Sequence, residues 1–326
     1  MRDPSSTTRL RLQALHEIDA ASLAAEAIEG LTAPQARVAP KFFYDALGSR
    51  LFEAITELPE YDLARTEAAI FAEHGGAIVD AAVVALGPQP VLVDLGAGNG
   101  AKAARLFATL RPRRYVAVDI AIEFLRGSLQ SLQREHPWLE MVGVGLDFSA
   151  QLVLPPGCVD APALVFYPGS SISNFARPDA LQLLREARAL APRSALLVGV
   201  DLVKDRRELE AAYDDELGVT AAFNLNLLRH LNRLLGADFR PRDWRHLARY
   251  DAAASRIEMH LEARTEVTVR WRGGSRRFAA GERIHTENSA KWTVAGFEAL
   301  LREAGCARVQ RWTDRAGRFA VFLADG

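Results

Sequence analysis

The chain has 326 residues, of which 49% are hydrophobic and 25% charged, as expected for a protein with a large buried core. Its 40 basic and 41 acidic residues give a net charge of −1, so we expect neither nucleic acid nor a membrane as a partner. The two cysteines, Cys158 and Cys306, lie far apart, which disfavours disulfide scaffolds and cysteine-based zinc sites and suits a reducing cytoplasm. The first residues form no apolar signal-like segment and no continuous apolar stretch approaches 18 residues, so we expect neither secretion nor a membrane span.

The middle of the chain alternates short apolar runs with helix-forming stretches. The runs are Val91–Leu95, Tyr115–Ile120, Met141–Phe148, Ala163–Tyr167 and Ala195–Leu202. The predicted helices are Thr66–Leu86, Ala101–Leu110, Ile122–Glu135 and Asp179–Ala191. Runs this short and rich in Val and Leu are typical of parallel strands buried on both faces. Their alternation with helices predicts an α/β fold with a doubly wound, mostly parallel sheet.

The alternation stops after Asp201 and returns near the end of the chain. A helical stretch at Asp205–Leu235 precedes alternating runs at Ser255–Thr268 and Arg276–Ala279. The last elements are predicted as a helix, Thr293–Ala304, and two strands, Ala307–Thr313 and Phe319–Ala324. We therefore predict an α/β domain of residues 66–201 and 290–326, and a second, α+β domain of residues 1–65 and 202–289 that binds the substrate.

A glycine-rich loop follows the first predicted strand and opens a helix. Gly96, Gly98 and Gly100 let the backbone approach a ligand closely, and the helix N-terminus offers N–H groups. Because Gly96, Gly98 and Ala101 also satisfy the dinucleotide fingerprint, the loop alone fits either NAD or S-adenosylmethionine. A bare tight turn that binds no ligand is the third alternative.

Acidic residues at the ends of three predicted strands favour S-adenosylmethionine. Asp119 is placed to accept the hydroxyls of a ribose in either cofactor, and Asp147 with Phe148 could contact adenine. Asp94 directly precedes the glycines, where it would repel a pyrophosphate but attract the cationic end of S-adenosylmethionine. We therefore expect a methyltransferase rather than a dehydrogenase, with a C-terminal antiparallel hairpin common in class I methyltransferases.

Several longer motifs extend over nearly the whole chain. They are Pro40–Asp45, Leu58–Tyr61, Arg65–Glu67, Gly169–Asn174, Asp201–Asp205, Ala212–Asp215, Gly218–Asn224, Arg256–Met259 and Thr286–Ser289. In this order they resemble the histidine Nα-methyltransferases of ergothioneine biosynthesis. The resemblance implies a Rossmann-like domain plus a substrate-binding domain. It also implies three methyl transfers from S-adenosylmethionine to the α-amine of histidine, which give hercynine and S-adenosylhomocysteine.

The resemblance also assigns residues to roles. It implies that Gly96, Lys102, Asp119, Asp147 and Phe148 bind the cofactor, alongside Asp94 and Gly98 from the loop. Tyr61, Asn174 and Tyr213 are implied to hold the amine and carboxylate of the amino acid and to be the catalytic set. Glu287 and Ser289 are implied to recognise the imidazole, and Tyr44 and Met259 to line the same pocket.

Each of these residues also has a purely structural interpretation when taken singly. Tyr61, Tyr213 and Met259 could be packing residues, Asn174 a helix cap, and Lys102 the partner of a nearby acid. His246, His260 and His285 lack metal-ligand spacing, so they are treated as ordinary polar residues and no metal is expected.

The sequence departs from the family pattern beside two of the expected contacts, at Asp62 and Ser173. Another amino acid or amine, such as tryptophan or tyrosine, therefore stays open as the acceptor. A non-catalytic sensor of cofactor or amino acid also stays open, and a monomer is compatible with the sequence.

Overall fold

The structure, a computed structural model, describes residues 10–14 and 20–326. The strands are β1 (Arg11–Ala14), β2 (Val91–Leu95), β3 (Arg114–Asp119), β4 (Glu140–Gly145), β5 (Ala163–Tyr167), β6 (Ser194–Asp201), β7 (Trp244–Asp251), β8 (Arg256–Ala263), β9 (Val267–Trp271), β10 (Gly274–Phe278), β11 (Arg283–Ala290), β12 (Arg308–Thr313) and β13 (Phe319–Asp325). The α-helices are α1 (Ala20–Thr32), α2 (Ala46–Thr56), α3 (Leu63–Leu86), α4 (Ala101–Leu110), α5 (Ile122–Glu135), α6 (Arg177–Ala189), α7 (Arg206–Ala211), α8 (Val219–Leu235) and α9 (Val294–Glu303).

The large sheet has the strand order β1-β4-β3-β2-β5-β6-β13-β12. The first six of these strands run parallel, while β13 is antiparallel to both β6 and β12. Apolar residues of α3, α4 and α5 pack on one face, and those of α6 and α9 on the other. The predicted doubly wound α/β sheet with a C-terminal hairpin is confirmed.

β1 is the point at which this sheet differs from the predicted domain boundaries. It comes from the segment 1–65 that the sequence assigns to the second domain, yet it pairs in parallel with β4. Leu12 occupies the space left by Gly143, where a Cβ atom would lie 2.6 Å from Leu12 Cδ2. Because a strand of four residues carries almost no periodicity, the sequence pattern does not reveal it.

A smaller antiparallel sheet of order β11-β8-β7 is built from the late insertion, and β9 and β10 form a separate hairpin. α8 packs across β7 and β8, and α1 and α2 pack on α8. The helical stretch predicted at Asp205–Leu235 is interrupted between α7 and α8, since the Asp215 carboxylate accepts from the N–H groups of Val219 and Thr220 at 3.0 and 2.8 Å. This break places Tyr213 in the connection rather than on a helix.

Two boundaries in the large sheet also move. β4 ends at Gly145, so Asp147 and Phe148 lie in the following loop rather than on the strand. α3 begins at Leu63, three residues before the predicted start, and in the described part of the chain it alone is long and apolar enough to span a membrane. It packs on β6, β13 and α4, and Ile70, Ile78 and Ala82 are buried there, as in a core helix.

Candidate active site

The loop after β2 brings three glycines to the edge of the sheet where the parallel strands end. Gly96, Gly98 and Gly100 have φ values of 69°, 55° and 70°, a left-handed conformation that favours glycine. A Cβ atom at Gly96 or Gly98 would meet no heavy atom within 4 Å, whereas one at Gly100 would lie 2.5 Å from Leu132 Cδ1. Gly100 is thus also required by packing, while Gly96 and Gly98 leave an open surface.

The Asp119 carboxylate, at the end of β3, holds this loop in place. It accepts from the N–H groups of Gly98 and Ala121, each at 2.8 Å. Burial raises the pKa of Asp119, and the backbone N–H donors act in the opposite direction. The acid therefore lies beside the glycine loop, where the sequence analysis expects it.

Asp94 lies beneath the loop rather than on its open surface. Its side chain is buried, and Oδ2 accepts from the Tyr115 hydroxyl at 2.8 Å. Oδ1 is also buried and has no hydrogen-bond donor among the described residues. Burial raises the pKa of Asp94 to about 7 despite the bond from Tyr115.

Asp147 and Phe148 lie just beyond β4, at the same edge. Asp147 accepts from Lys41 Nζ at 2.6 Å and from the Ser149 N–H at 3.0 Å. Lys41 also forms an ion pair with Glu26 of α1 at 2.6 Å. The Phe148 ring contacts Tyr167 edge to face, with centroids 5.8 Å apart. Lys41 thereby connects α1 to the loop after β4, which is expected to contact adenine.

Lys102, in the first turn of α4, is paired with a buried acid. Its Nζ lies 2.7 Å from Glu67 Oε2, and Glu67 Oε1 accepts from the Gly169 N–H at 2.8 Å. Only 2% of the Glu67 side chain is exposed, against 38% of Lys102. Lys102 thus points toward the loop after β5, with one side still open.

Three tyrosines from different parts of the chain meet beside the glycine loop. The rings of Tyr61 and Tyr213 lie edge to face with centroids 6.1 Å apart, and Phe52 links Tyr61 to Tyr44. Burial raises the pKa of all three hydroxyls well above the usual range. The negative charges of Glu287 and Asp119 add to the effect of burial on the pKa of the Tyr44 hydroxyl.

β11 presents Glu287 and Ser289 on one face, toward the tyrosines. The Glu287 side chain is 8% exposed, has no hydrogen-bond partner among the described residues, and has a pKa raised by burial to about 8. Met259 of β8 is opposite Glu287 in the register and is buried on the same face. Asn288 instead bonds His285 at 2.9 Å on the other face, as alternation predicts.

A buried ion pair lies directly behind this face. Lys291 Nζ is 2.8 Å from Asp201 Oδ2, and it also donates to the Tyr213 hydroxyl at 3.1 Å and to Ser289 Oγ at 3.0 Å. Lys204 lies 2.8 Å from the other oxygen of Asp201. The ion pair between Asp201, at the end of β6, and Lys291, directly after β11, thereby connects the two strands.

Asn174 ends a short 3₁₀ helix after β5. Its side chain is half-buried and has no polar partner in the part of the chain that the structure describes. It is not a helix cap, because the N-cap of α6 is Ala176, two residues later. Ser173 beside it is buried and accepts from Trp292 Nε1 at 3.0 Å. The amide of Asn174 is therefore available to a ligand.

The three histidines have structural partners. Asn224 donates to His246 Nδ1 at 2.8 Å, so Nε2–H donates to the Tyr213 carbonyl at 2.8 Å. The rings of His260 and His285 meet edge to face, with centroids 5.2 Å apart, on the far face of the small sheet. Within residues 10–14 and 20–326, no group of three His, Cys, Asp or Glu side chains is arranged to hold a metal ion.

Four residues in or near this site are missed by the sequence reasoning: Lys41, Glu67, Asp201 and Lys291. Lys41, Glu67 and Asp201 lie inside motifs that had been recognised, but their partners are distant in sequence. For Lys291 a signal existed, since it continues the alternation of Glu287 and Ser289 along the same face.

An open parallel sheet that ends in an antiparallel hairpin, with a glycine loop after β2 and acids after β3 and β4, defines a class I, Rossmann-like methyltransferase dependent on S-adenosylmethionine. Within that class, the chain belongs to the family of histidine-specific, S-adenosylmethionine-dependent methyltransferases, which matches residues 23–326.

Relatives support this placement over nearly the whole chain. A histidine N-alpha-methyltransferase of Mycolicibacterium smegmatis is 41% identical over 317 residues, covering 94% of this chain and 97% of that protein. One of Mycobacterium tuberculosis is 38% identical over 311 residues, covering 93% and 94%. An N-methyltransferase of Aspergillus fumigatus is 31% identical over 303 residues, covering 89% and 80%. The family resemblance seen in the sequence is confirmed.

Proposed function

We propose that this chain methylates the α-amine of L-histidine with S-adenosylmethionine, in three successive transfers that give hercynine for ergothioneine biosynthesis. The observation that carries the proposal is Glu287, an unpartnered and almost fully buried carboxyl that lies among three tyrosines, in a family whose description is histidine-specific. A buried polar group without a partner is costly, so it favours a ligand that supplies a hydrogen-bond donor.

The edge of the large sheet fits S-adenosylmethionine. Gly96 and Gly98 leave a surface that a Cβ atom would obstruct for the ligand, while Asp119 and Asp147 offer carboxylates and Phe148 an aromatic ring. Lys102 offers a cation to the carboxylate of the cofactor, and Asp94 supports the loop from below. When bound, S-adenosylmethionine supplies an electrophilic methyl group on a cationic sulfonium.

The tyrosines and Asn174 orient the amino acid. Because burial raises the pKa of the Tyr61 and Tyr213 hydroxyls, both stay protonated at neutral pH and do not remove protons. The Tyr61 hydroxyl donates to the carboxylate of the substrate, whereas the Tyr213 O–H donates to Ser289 Oγ, so its oxygen can only accept, from the α-amine. The amide oxygen of Asn174 accepts from an α-amine N–H, which directs the nitrogen lone pair. The ring faces of Tyr61 and Tyr213 also suit an amine that becomes a quaternary cation after the third methyl transfer.

Glu287 and Ser289 fix the side chain of the substrate. Both project from one face of β11, where one can contact each nitrogen of an imidazole; Met259 is opposite Glu287 in the register, and we expect Met259 and Tyr44 to line the ring. Pre-alignment of this kind contributes on the order of 7–11 kcal/mol to a reaction between two bound partners. We assign residues 66–201 and 290–326 to cofactor binding, and residues 1–65 and 202–289 to substrate binding, with β1 attached to the cofactor half.

Mass spectrometry of products from a panel of free amino acids tests the proposal. We expect a series of methylated histidines ending in the trimethylated product. We also expect full activity in excess chelator, at the pH of a cytoplasm. Glu287→Ala is expected to lower kcat/KM for histidine about 10- to 100-fold, since an imidazole N–H loses its acceptor. Asn288→Ala, one residue away on the opposite face, is the matched control. Methylation of tryptophan or tyrosine in place of histidine, or tight ligand binding without turnover, would contradict the proposal.

A further inference from the structure

The Lys291 ammonium is completely buried inside the protein. Its side chain has no exposed surface; it donates hydrogen bonds to the Tyr213 hydroxyl at 3.1 Å and to Ser289 Oγ at 3.0 Å, and it forms an ion pair with Asp201 Oδ2 at 2.8 Å. An ammonium group can only donate, so Lys291 forces both hydroxyl oxygens to act as acceptors toward it.

Ser289 Oγ receives a second donor as well. The Tyr213 hydroxyl, whose own oxygen accepts from Lys291, donates to Ser289 Oγ at 2.8 Å. A serine hydroxyl has two acceptor lone pairs and one O–H donor. Lys291 and Tyr213 occupy both lone pairs, so the only hydrogen bond that Ser289 has left to make is a donation through its O–H.

We propose that Lys291 acts as a specificity-determining residue that makes Ser289 a hydrogen-bond donor only, so that the site accepts neutral imidazole and rejects imidazolium. The inference rests on the proposed function, in which Glu287 and Ser289 hold the imidazole of histidine. Glu287 accepts from the ring N–H, and Ser289 donates to the lone pair of the other ring nitrogen.

Imidazolium meets two obstacles in this arrangement. It carries an N–H on both nitrogens, so one N–H would face the O–H of Ser289 with no acceptor between them. The fixed positive charge of Lys291, bonded directly to Ser289, adds repulsion. Without Lys291, Ser289 would regain a lone pair, and Glu287 and Ser289 could both accept from a cationic ring. An indole ring, which has an N–H and no acceptor nitrogen, is rejected on the same ground.

Asp201 keeps Lys291 in position and makes its replacement structurally tolerable. The carboxylate is shared, with Lys204 Nζ 2.8 Å from Oδ1 and Lys291 Nζ 2.8 Å from Oδ2. Lys204 also reaches Asp62 at 3.3 Å and does not bond Ser289. If Lys291 is replaced, Asp201 still has a cationic partner, so a buried charge is not left alone.

The decisive experiment compares histidine with 1,2,4-triazolylalanine, whose ring has both an N–H and acceptor nitrogens and stays neutral at mildly acidic pH. The titratable and charged groups around the pocket are Glu287, Tyr44, Tyr61, Tyr213, Lys291 and Asp201. Their titration affects both substrates alike, and so does that of the α-amine. The ratio of the two kcat/KM values therefore isolates ring protonation.

In the native enzyme we expect the ratio for histidine over the triazole to fall about tenfold between about pH 7.5 and about pH 5.5, because free imidazole has a pKa of about 6.5. Lys291→Met is expected to reduce the fall to about twofold, since Ser289 can then accept. Lys204→Met, which touches Asp201 but not Ser289, keeps the full fall. If Lys291→Met does not fold, Tyr213→Phe frees the other lone pair and is expected to give the same reduction.

A second readout does not depend on turnover. Histidine labelled with ¹⁵N in the ring, bound together with S-adenosylhomocysteine at about pH 6, is expected to show one protonated and one unprotonated nitrogen, and two protonated nitrogens in Lys291→Met. A pH-independent ratio in the native enzyme, or an unchanged fall in Lys291→Met, overturns the inference while leaving histidine methylation intact. Absence of histidine methylation at every pH overturns the proposed function and this inference with it.

Discussion

Glu67 and Lys102 form an ion pair of 2.7 Å at the centre of the site, and Glu67 simultaneously accepts from the Gly169 N–H at 2.8 Å. The contact joins α3, α4 and the loop after β5. Its neighbours are glycines for steric reasons, since a Cβ at Gly199 would lie 2.1 Å from Glu67 Oε1 and one at Gly169 would lie 2.7 Å from Lys102 Nζ. A single buried carboxylate thus sets the spacing between the cofactor loop and the loop that carries Asn174.

Replacing this carboxylate should cost stability. Glu67→Ala leaves the Gly169 N–H without its acceptor and Lys102 without its partner, so we expect a loss of about 1–3 kcal/mol in the free energy of unfolding, measured by urea denaturation. Glu73→Ala is the control, because Glu73 is exposed on the same helix and is expected to change stability by less than about 0.5 kcal/mol. Equal losses in the two variants would show that the buried contact contributes nothing specific.

The glycine loop offers a second test, in which stability and binding separate. Gly98→Ala and Gly236→Ala both place a side chain at positive φ, 55° and 63°, with no atom within 4 Å of the new Cβ. Each should therefore cost about 1–2 kcal/mol of stability. Only Gly98 borders the expected cofactor surface, so only Gly98→Ala should weaken S-adenosylhomocysteine, by tenfold or more in calorimetry. Equal affinity in both variants would remove Gly98 from the site.

The sequence predicts the large sheet well, because its strands are short apolar runs buried on both faces. β2 and β5 have the predicted bounds, and every residue of both strands is buried. Where local signals are weak, the sequence reasoning does not reach. β1 is too short for a period to appear, and the break between α7 and α8 depends on the Asp215 carboxylate, which accepts from the first N–H groups of α8, rather than on hydrophobic spacing.

For the site, the sequence identifies chemical groups but not their partners. Asp119 and Lys102 stand out beside the glycine loop, yet nothing local shows that Asp119 holds the Gly98 N–H or that Lys102 pairs with Glu67. Asp94 also stands out in the pattern, but nothing local shows that its Oδ2 accepts from the Tyr115 hydroxyl. Contacts between residues far apart in sequence require the tertiary structure.

The pKa of Glu287 predicts a specific dependence of stability on pH. Burial raises this pKa to about 8, above the ordinary value of 4.5 in an unfolded chain. Between these values the unfolded state is ionised while the folded state keeps its proton, so Glu287 lowers stability by about 1.4 kcal/mol for each unit of rising pH. Below the unfolded pKa the effect vanishes.

Glu287→Gln removes the pH dependence of stability that Glu287 causes and leaves the contribution of Asp94 in place. Urea denaturation at several pH values is therefore expected to show the variant gaining stability over the native protein as pH rises from about 5 to about 7.5. At the acidic end the two proteins should differ least. Parallel stability curves across this range would show that the Glu287 carboxyl is ionised in the folded protein.

From the Lys41 ion pairs we predict that charge holds α1 against the loop after β4, at the edge of the sheet that is expected to bind the cofactor. Lys41 is only 14% exposed and bonds Asp147 and Glu26 at 2.6 Å each. Burial alone would raise the pKa of Asp147, but the hydrogen bonds from Lys41 and Ser149 outweigh it and hold that pKa below its usual range. The carboxylate is therefore ionised and paired before any ligand arrives.

Lys41→Met should release this connection. We expect amide hydrogen exchange in α1 to become several-fold faster, since α1 loses its ionic link to the loop after β4. Arg37→Met is the matched control, because the Arg37 side chain is 58% exposed and its 3.9 Å contact with Glu29 belongs to the class of surface pairs worth about 0–1 kcal/mol. High salt should leave the native protein largely protected, as a mostly buried pair is screened little. Unchanged exchange in Lys41→Met would mean that the packing of α1 on α8 alone holds the segment.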